Sequence, residues 1–281
     1  MTRTIVLCAD DFALTPGISQ AIIDLASRGR LSAISCMTGT AYWPQHAAWL
    51  KPLIGKIDIG LHLTLVDEAP ITGMSHTAPN GKLPSISTLI VRSYLGLLDL
   101  AEIEAETAAQ FSAFERALGI APSHVDGHLH THVLPGIRDI VLRRAAQCTP
   151  KPWVRNVCEP VSEILHRGIA VPKALVLNML GRTLAQDKAW GDHLNDGFSG
   201  LYGLGGHEPY ADYFQKFAAS NAQRHVVMCH PGASVPEYVA CASARAKETT
   251  FLGSNDFPVL LSRMGLELGR FTEAKNQSSG R

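Results

Sequence analysis

The sequence predicts an α/β protein folded as a (β/α) barrel, and three observations carry that expectation. Short apolar runs of strand length alternate with longer segments of helical period along the chain. Those runs are continuous in hydrophobicity, as in strands of a parallel sheet covered on both faces. With 281 residues, 46% of them apolar and 18% charged, the chain is long enough to bury one large core.

Thr4 to Ala9 is the first apolar run, and it ends at the carboxylates of Asp10 and Asp11. Thr15-Pro16-Gly17 supplies a cap and a proline at the first helical position. Ile18, Ile22 and Leu25 then recur on one helix face, and Gly29 fits the stop. Leu31 to Met37 is the second strand, so the chain opens with the crossover unit of a parallel sheet. Trp43 to Leu50 reads as a helix. Ile57 to Leu65 reads as a third strand carrying His62. Val66 to Leu83, rich in Pro, Gly, Thr and Ser, reads as a long loop of the binding-loop kind. Ser85 to Gly96 and the amphipathic Leu100 to Leu118, closed by Gly119, are helical. Ala121-Pro122 leads into Ser123 to His132.

Beyond it, Ile137 to Gln147 is helical and Trp153 to Asn156 is strand-like. Val161 to Gly181 is mixed, with a new helix starting at Pro172 and running to Leu184. Asp192 to Gly206 is dense in Gly, Asn, Asp and aromatics, a surface-loop composition. Tyr210 to Ala219 is helical. His225 to Cys229 is a buried strand ending at His230-Pro231-Gly232. Ser243 to Phe251 and Asp256 to Met264 are helical. The pattern describes one domain, residues 1–272, followed by a polar tail over 273–281.

Charge and cysteine usage narrow the function classes. Formal net charge is zero, with 25 acids against 25 bases, so no basic field marks a nucleic-acid binder and no charged run marks a membrane surface. None of the six cysteines forms a C-x-x-C pair, which argues against a zinc ribbon or thioredoxin motif. Several lie in apolar runs, as buried reduced thiols do. No signal peptide or transmembrane-length segment is visible, and a cytoplasmic location is the expectation. The twelve histidines are the unusual feature.

Five polar residues with metal or proton chemistry sit in Ser123 to His132. If this stretch is extended throughout, His124, Asp126, His128, His130 and His132 share one face, and Val125, Leu129 and Val133 back it on the other. A wall of imidazoles and a carboxylate suits a divalent transition metal. A histidine-rich surface loop is the plainer explanation, so the missing ligands must come from elsewhere. Candidates stand at other strand ends: Asp10 and Asp11, His62, and His230. In (β/α) barrels catalytic groups sit at the carboxyl ends of the strands. Each candidate has an ordinary alternative: helix capping for the aspartates, a hydrogen-bonded core histidine for His62, a turn residue for His230. Their joint occurrence at several strand ends favours a shared site.

These residues carry a resemblance. Ala9-Asp10-Asp11-Phe12 with Pro16-Gly17, Gly60-Leu61-His62-Leu63, His124-Val125-Asp126-Gly127-His128-Leu129-His130 and His230-Pro231-Gly232 together resemble the YdjC-like carbohydrate deacetylases, the ChbG/HpnK family. Asp196-Gly197-Phe198-Ser199-Gly200 also looks like a family element. The resemblance implies a distorted (β/α) barrel of the carbohydrate/polysaccharide deacetylase type. It also implies one divalent metal, zinc or magnesium first, with manganese, cobalt or nickel as alternatives. The ligands carried over are Asp11, His62 and His128, with Asp10 as general base and His230 as the acid for the leaving group. Asp126, His130, Arg155 and Phe198 are supporting residues, Asp126 orienting a ligand imidazole or pairing with His230. His124 and His132 have no assigned role. Two positions depart from the family pattern: Ala13, where Gly is usual, and Cys8, where Asn is frequent.

The implied reaction is removal of an N-acetyl group from an amino-sugar-containing carbohydrate, with an N-acetylated sugar or oligosaccharide as partner and a homodimer as the expected assembly. The loops over 66–83 and 192–207 would shape the sugar pocket, with Trp43, Trp190, Phe198 and Tyr202 available to stack or to pack. The alternatives are another barrel metal hydrolase of the phosphoesterase type, a facial-triad iron enzyme, and a non-catalytic sugar-binding relative.

Overall fold

A computed structural model describes residues 2–203, 209–234, 236 and 241–276. Its elements follow the predicted alternation. β1 (Arg3–Phe12), α1 (Pro16–Ser27), β2 (Ala33–Cys36), α2 (Trp43–Leu50), β3 (Asp58–Leu63), α3 (Ile86–Tyr94) and α4 (Leu100–Leu118) fall where the sequence places them. Thr15 caps α1 by accepting from the Ile18 amide at 3.3 Å. β4 (His124–Gly127), α5 (Ile137–Ala145), β5 (Trp153–Val154), α6 (Val161–Arg167) and α7 (Val171–Ala185) follow.

The second half departs in three places. β6 (Gly197–Ser199) lies inside the stretch read as a surface loop; α8 (Tyr210–Ala218) and β7 (His225–Cys229) come next as expected. The last three residues of that stretch, 204–206, lie outside the described residues, as do 207 and 208. After α9 (Ala242–Gly253) and α10 (Asp256–Arg263) comes an unpredicted strand, β8 (Leu266–Leu268). Finally α11 (Phe271–Asn276) occupies the start of the polar tail. Phe271 stacks on Trp153 at 4.9 Å and donates its amide to Asp58 at 2.9 Å, and Ala274 is buried, so tertiary contacts order a segment whose composition is tail-like. Residues 277–281 lie outside the described residues.

All strands pair in parallel, in the order β5-β4-β3-β2-β1-β7-β6. β8 adds to the lower part of β1, pairing Arg3 with Leu266. The sheet curls into a distorted barrel, and its outer strands meet through one bridge, Val154 to Leu194. Side chains replace a ladder at this seam. Asn195 Oδ1 accepts the Asn156 amide at 2.7 Å, and Asn195 Nδ2 donates to the carbonyls of Asn156 at 2.8 Å and Gly197 at 2.9 Å. Both asparagines are buried.

Outside the barrel the helices cover the strands with a continuous apolar layer that includes Ile18, Ile22, Phe111, Phe114, Phe214 and Phe257. Trp43, Trp190, Phe198 and Tyr202 are all buried, so they pack rather than present faces to a sugar. Trp43, for example, stacks on Phe114 at 6.0 Å. The loop after β3 is held by α4: Glu106 accepts the amides of Ile71 and Thr72, and Glu102 those of His76 and Thr77.

Asn195→Ala should destabilise the fold by about 2–4 kcal/mol, because it strands a buried amide and a buried carbonyl of Asn156. Urea unfolding measures this; a change below about 0.5 kcal/mol would show that the seam does not depend on the asparagine pair.

Candidate active site

Regular alternation along β1 would send Asp10 and Asp11 to opposite faces. The register of β1 on β2 breaks between Ala9 and Phe12, and Asp11 takes a left-handed backbone, φ 68°. This bulge turns both carboxylates to the barrel mouth. Ala13 also has positive φ, 75°, a conformation that glycine adopts without strain. Ala13 therefore carries a small strain that the glycine expected from the resemblance would avoid.

The histidine stretch is corrected by the structure. The strand ends at Gly127, and a 3-10 turn over His128–Val133 follows, with Leu129 and His130 left-handed at φ 51° and 60°. The five-residue wall therefore does not form, and Leu129 is exposed instead of backing it. His124 and Asp126 point into the barrel. His128 Nδ1 reaches Asp11 Oδ1 at 2.9 Å. His130 meets the edge of Phe198 at 5.5 Å. His132 Nε2 donates to the Arg155 carbonyl at 2.8 Å.

Three donors converge from three strand ends. His62 Nε2 lies 3.3 Å from Asp11 Oδ1, on the same oxygen that His128 approaches. The ligand atoms of Asp11, His62 and His128 all lie within 4.8 Å of one another. One carboxylate and two imidazoles are a suitable set for zinc or a similar ion, and the second nitrogen of His62 is anchored as metal-ligating histidines usually are. Its Nδ1 donates to Asp126 Oδ1 at 2.7 Å. Asp10, His62 and Asp126 also cluster. There, however, both carboxylates are taken by Arg155, whose charge opposes a cation.

Arg155 is fully buried and grips Asp10 with both ends of its guanidinium, at 2.6 and 2.7 Å. It also pairs with Asp126 at 2.5 Å, so Asp126 salt-bridges to Arg155 and not to His230. Phe198 lies under the guanidinium, 5.9 Å from its centroid. Asp11 has a separate arginine: Arg245, from α9, donates to its Oδ2. The sequence offers no signal for Arg245, a single basic residue on an unremarkable helix. α9 also holds the loop after β7. Glu248 accepts the His230 amide and the Tyr202 hydroxyl, and Thr249 accepts the Gly232 amide at 2.8 Å. Gly17 seats the same loop from the other side, because a Cβ there would lie 1.9 Å from the Ala233 carbonyl oxygen.

Electrostatics follow from burial and these partners. Burial alone would raise Asp11, but Arg245 and His128 hold it well below the usual carboxylate range. Burial opposes the charge on His62, yet Asp126 and Asp11 outweigh it and raise the imidazole to about 10. Burial pushes Glu248 up to about 7. Burial pulls His230 down to about 4, below the ordinary histidine value expected of a ready proton donor.

The sequence matches the YdjC-like protein family over residues 4–263. Chitooligosaccharide deacetylases of Yersinia pestis (strain Pestoides F) and Yersinia pseudotuberculosis (serotype O:1b, strain IP 31758) are each 36% identical over 142 residues, covering 50% of this chain and 55% of the relative. The chain thus spans about half the length of the curated relatives it matches. A solved protein of Enterococcus faecalis V583, named for cellobiose-phosphate cleavage, shares the fold with a TM-score of 0.72 at 18% identity, covering 97% of this chain and 99% of that one.

Because His62 lies at about 10 without an ion, its Nε2 is protonated at pH 7, and a bound ion must displace that proton. Metal uptake should therefore release at least one proton per ion, and affinity should rise by up to about tenfold per pH unit across the neutral range. Calorimetry in buffers of different ionisation heat reads the release; uptake without proton release at pH 7 would contradict the assignment of His62. With its strand-end aspartates and histidines gathered at one barrel mouth and its sequence matched from the first strand to α10, the chain belongs to the YdjC-like family.

Proposed function

We propose that the chain is a metal-dependent carbohydrate N-deacetylase that removes acetyl groups from N-acetylated amino sugars or their oligosaccharides. The convergence of Asp11, His62 and His128 at the barrel mouth, with Asp10 and His230 at neighbouring strand ends, carries this reading. The deacetylase names of the Yersinia relatives support the substrate class.

An amide carbonyl is a weak electrophile and water a weak nucleophile; a divalent ion in the Asp11-His62-His128 set would polarise the one and acidify the other. The two imidazoles favour zinc over magnesium, which prefers oxygen ligands. Asp10 accepts the proton of the attacking water. Arg155 fixes the plane of its carboxylate while leaving each oxygen a further lone pair. As the tetrahedral carbon collapses, the amine must gain a proton. His230, kept neutral beforehand by burial, takes up the proton that Asp10 removed from the water as negative charge builds beside its ring, and passes it to the amine as the C–N bond breaks, so that Asp10 and His230 both return to their starting states. A second ion of the phosphoesterase type has fewer ligands available, since His124 is engaged by Ser35 and His132 by the Arg155 carbonyl.

Zinc-loaded protein should release acetate from N-acetylated chitooligosaccharides and lose that activity with chelator; no acetate from a broad panel of N-acetylated sugars would overturn the proposal. Asp10→Asn should lower kcat by about 100-fold or more while retaining the ion. His128→Ala should instead lower ion occupancy, read by elemental analysis. Equal loss of ion and turnover in Asp10→Asn would remove Asp10 as the base.

A further inference from the structure

We propose that Ser35 and His124 are positioning residues that act through Asp126 to hold His62 in the Nδ1–H tautomer, leaving its Nε2 lone pair aimed at an ion beside Asp11 and His128. This rests on the assignment of Asp11, His62 and His128 as the ion-holding set.

The chain of hydrogen bonds has one consistent direction. Asp126 Oδ2 is paired with the Arg155 guanidinium at 2.5 Å, so its carboxylate is the accepting partner. Ser35 Oγ, 2.6 Å from Asp126 Oδ2, must therefore spend its one proton there. Towards His124 Nε2, at 2.8 Å, the same oxygen can only accept, so that nitrogen carries a proton. Burial keeps His124 neutral, at about 4, which leaves its Nδ1 bare; that atom is buried and has no partner among the described residues. At the other carboxylate oxygen, His62 Nδ1 must be the donor. One buried carboxylate thus sets the proton on both rings.

The surroundings are shaped to keep this chain in place. The His124 ring stacks on Trp153 at 4.4 Å. It lies across Gly60, where a Cβ would come within 2.4 Å of the ring. Gly60 thus serves His124 on the neighbouring strand, two residues before His62. Cys8, His124 and Asp126 also lie close enough to hold an ion. Burial raises the Cys8 thiol well above its ordinary range, and Ser35 already fills the space between the three, so this cluster holds protons.

Zinc affinity, measured by chelator competition, tests the proposal in wild type, His62→Ala, Ser35→Ala and His124→Phe, with melting of the zinc-free proteins as the folding control. Ser35→Ala and His124→Phe should bind zinc about 3- to 10-fold more weakly, less than the 10- to 100-fold typical of a residue touching the ligand directly. Two-bond proton–nitrogen spectra of the zinc-loaded wild type should show His124 protonated at Nε2 and His62 at Nδ1. Wild-type affinity in Ser35→Ala, His124 protonated at Nδ1, or a second zinc per chain would each overturn the relay. If wild type itself binds no zinc, the ion-holding set falls with it; if His62→Ala loses zinc while Ser35→Ala does not, only the relay falls.

Discussion

Two adjacent carboxylates, Asp10 and Asp11, are buried together at the end of β1, and the rest of the site is arranged to make that tolerable. Uncompensated, two such charges out of water would cost many kcal/mol. The left-handed turn at Asp11 aims both at one mouth, and each has its own guanidinium: Arg155 after β5 for Asp10, Arg245 on α9 for Asp11. With protonated His62, the three buried carboxylates of Asp10, Asp11 and Asp126 are matched by three cations. Under the proposed function, replacing that proton with a divalent ion would leave one positive charge in excess, the sign that would stabilise a developing oxyanion.

This requirement explains why a barrel of this kind has a polar interior near its mouth. Many (β/α) barrels fill their centre with branched apolar side chains. Here Cys8, Ser35, His62, His124 and Asp126 occupy it, and the apolar residues lie on the outer face beneath the helices. A buried polar layer is stable only when its members satisfy one another. Asp126 does most of that, accepting from His62, Ser35 and Arg155. Two glycines have a place in the same scheme: Gly60 makes room for the His124 ring, and Gly17 for the backbone of the His230 loop.

Much was legible beforehand because hydrophobic period and turn chemistry are local. α4 and α2 begin and end where their patterns do. β6 and β8 were not legible, since three residues among glycines and aromatics leave no period to read. The histidine stretch misled for a related reason. Alternating polar and apolar residues imply a strand, but Leu129 and His130 adopt left-handed backbone, which the pattern does not encode. Composition likewise read residues from 273 onward as a tail, although a ring stack and a buried carboxylate at Phe271 fold the helix that contains 273–276 onto the barrel floor.

By itself, then, the sequence determined the alternation of strands and helices and the residue types gathered at strand ends, because burial period and motif chemistry are written along the chain. Only the tertiary structure decided which carboxylate meets which cation. Arg155 lies 145 residues from Asp10, and Arg245 lies 234 from Asp11; no local rule connects partners so far apart. It likewise decided that Asp126 serves His62 and Arg155 rather than His230, because barrel closure, and not spacing, sets which strand ends face one another across the mouth.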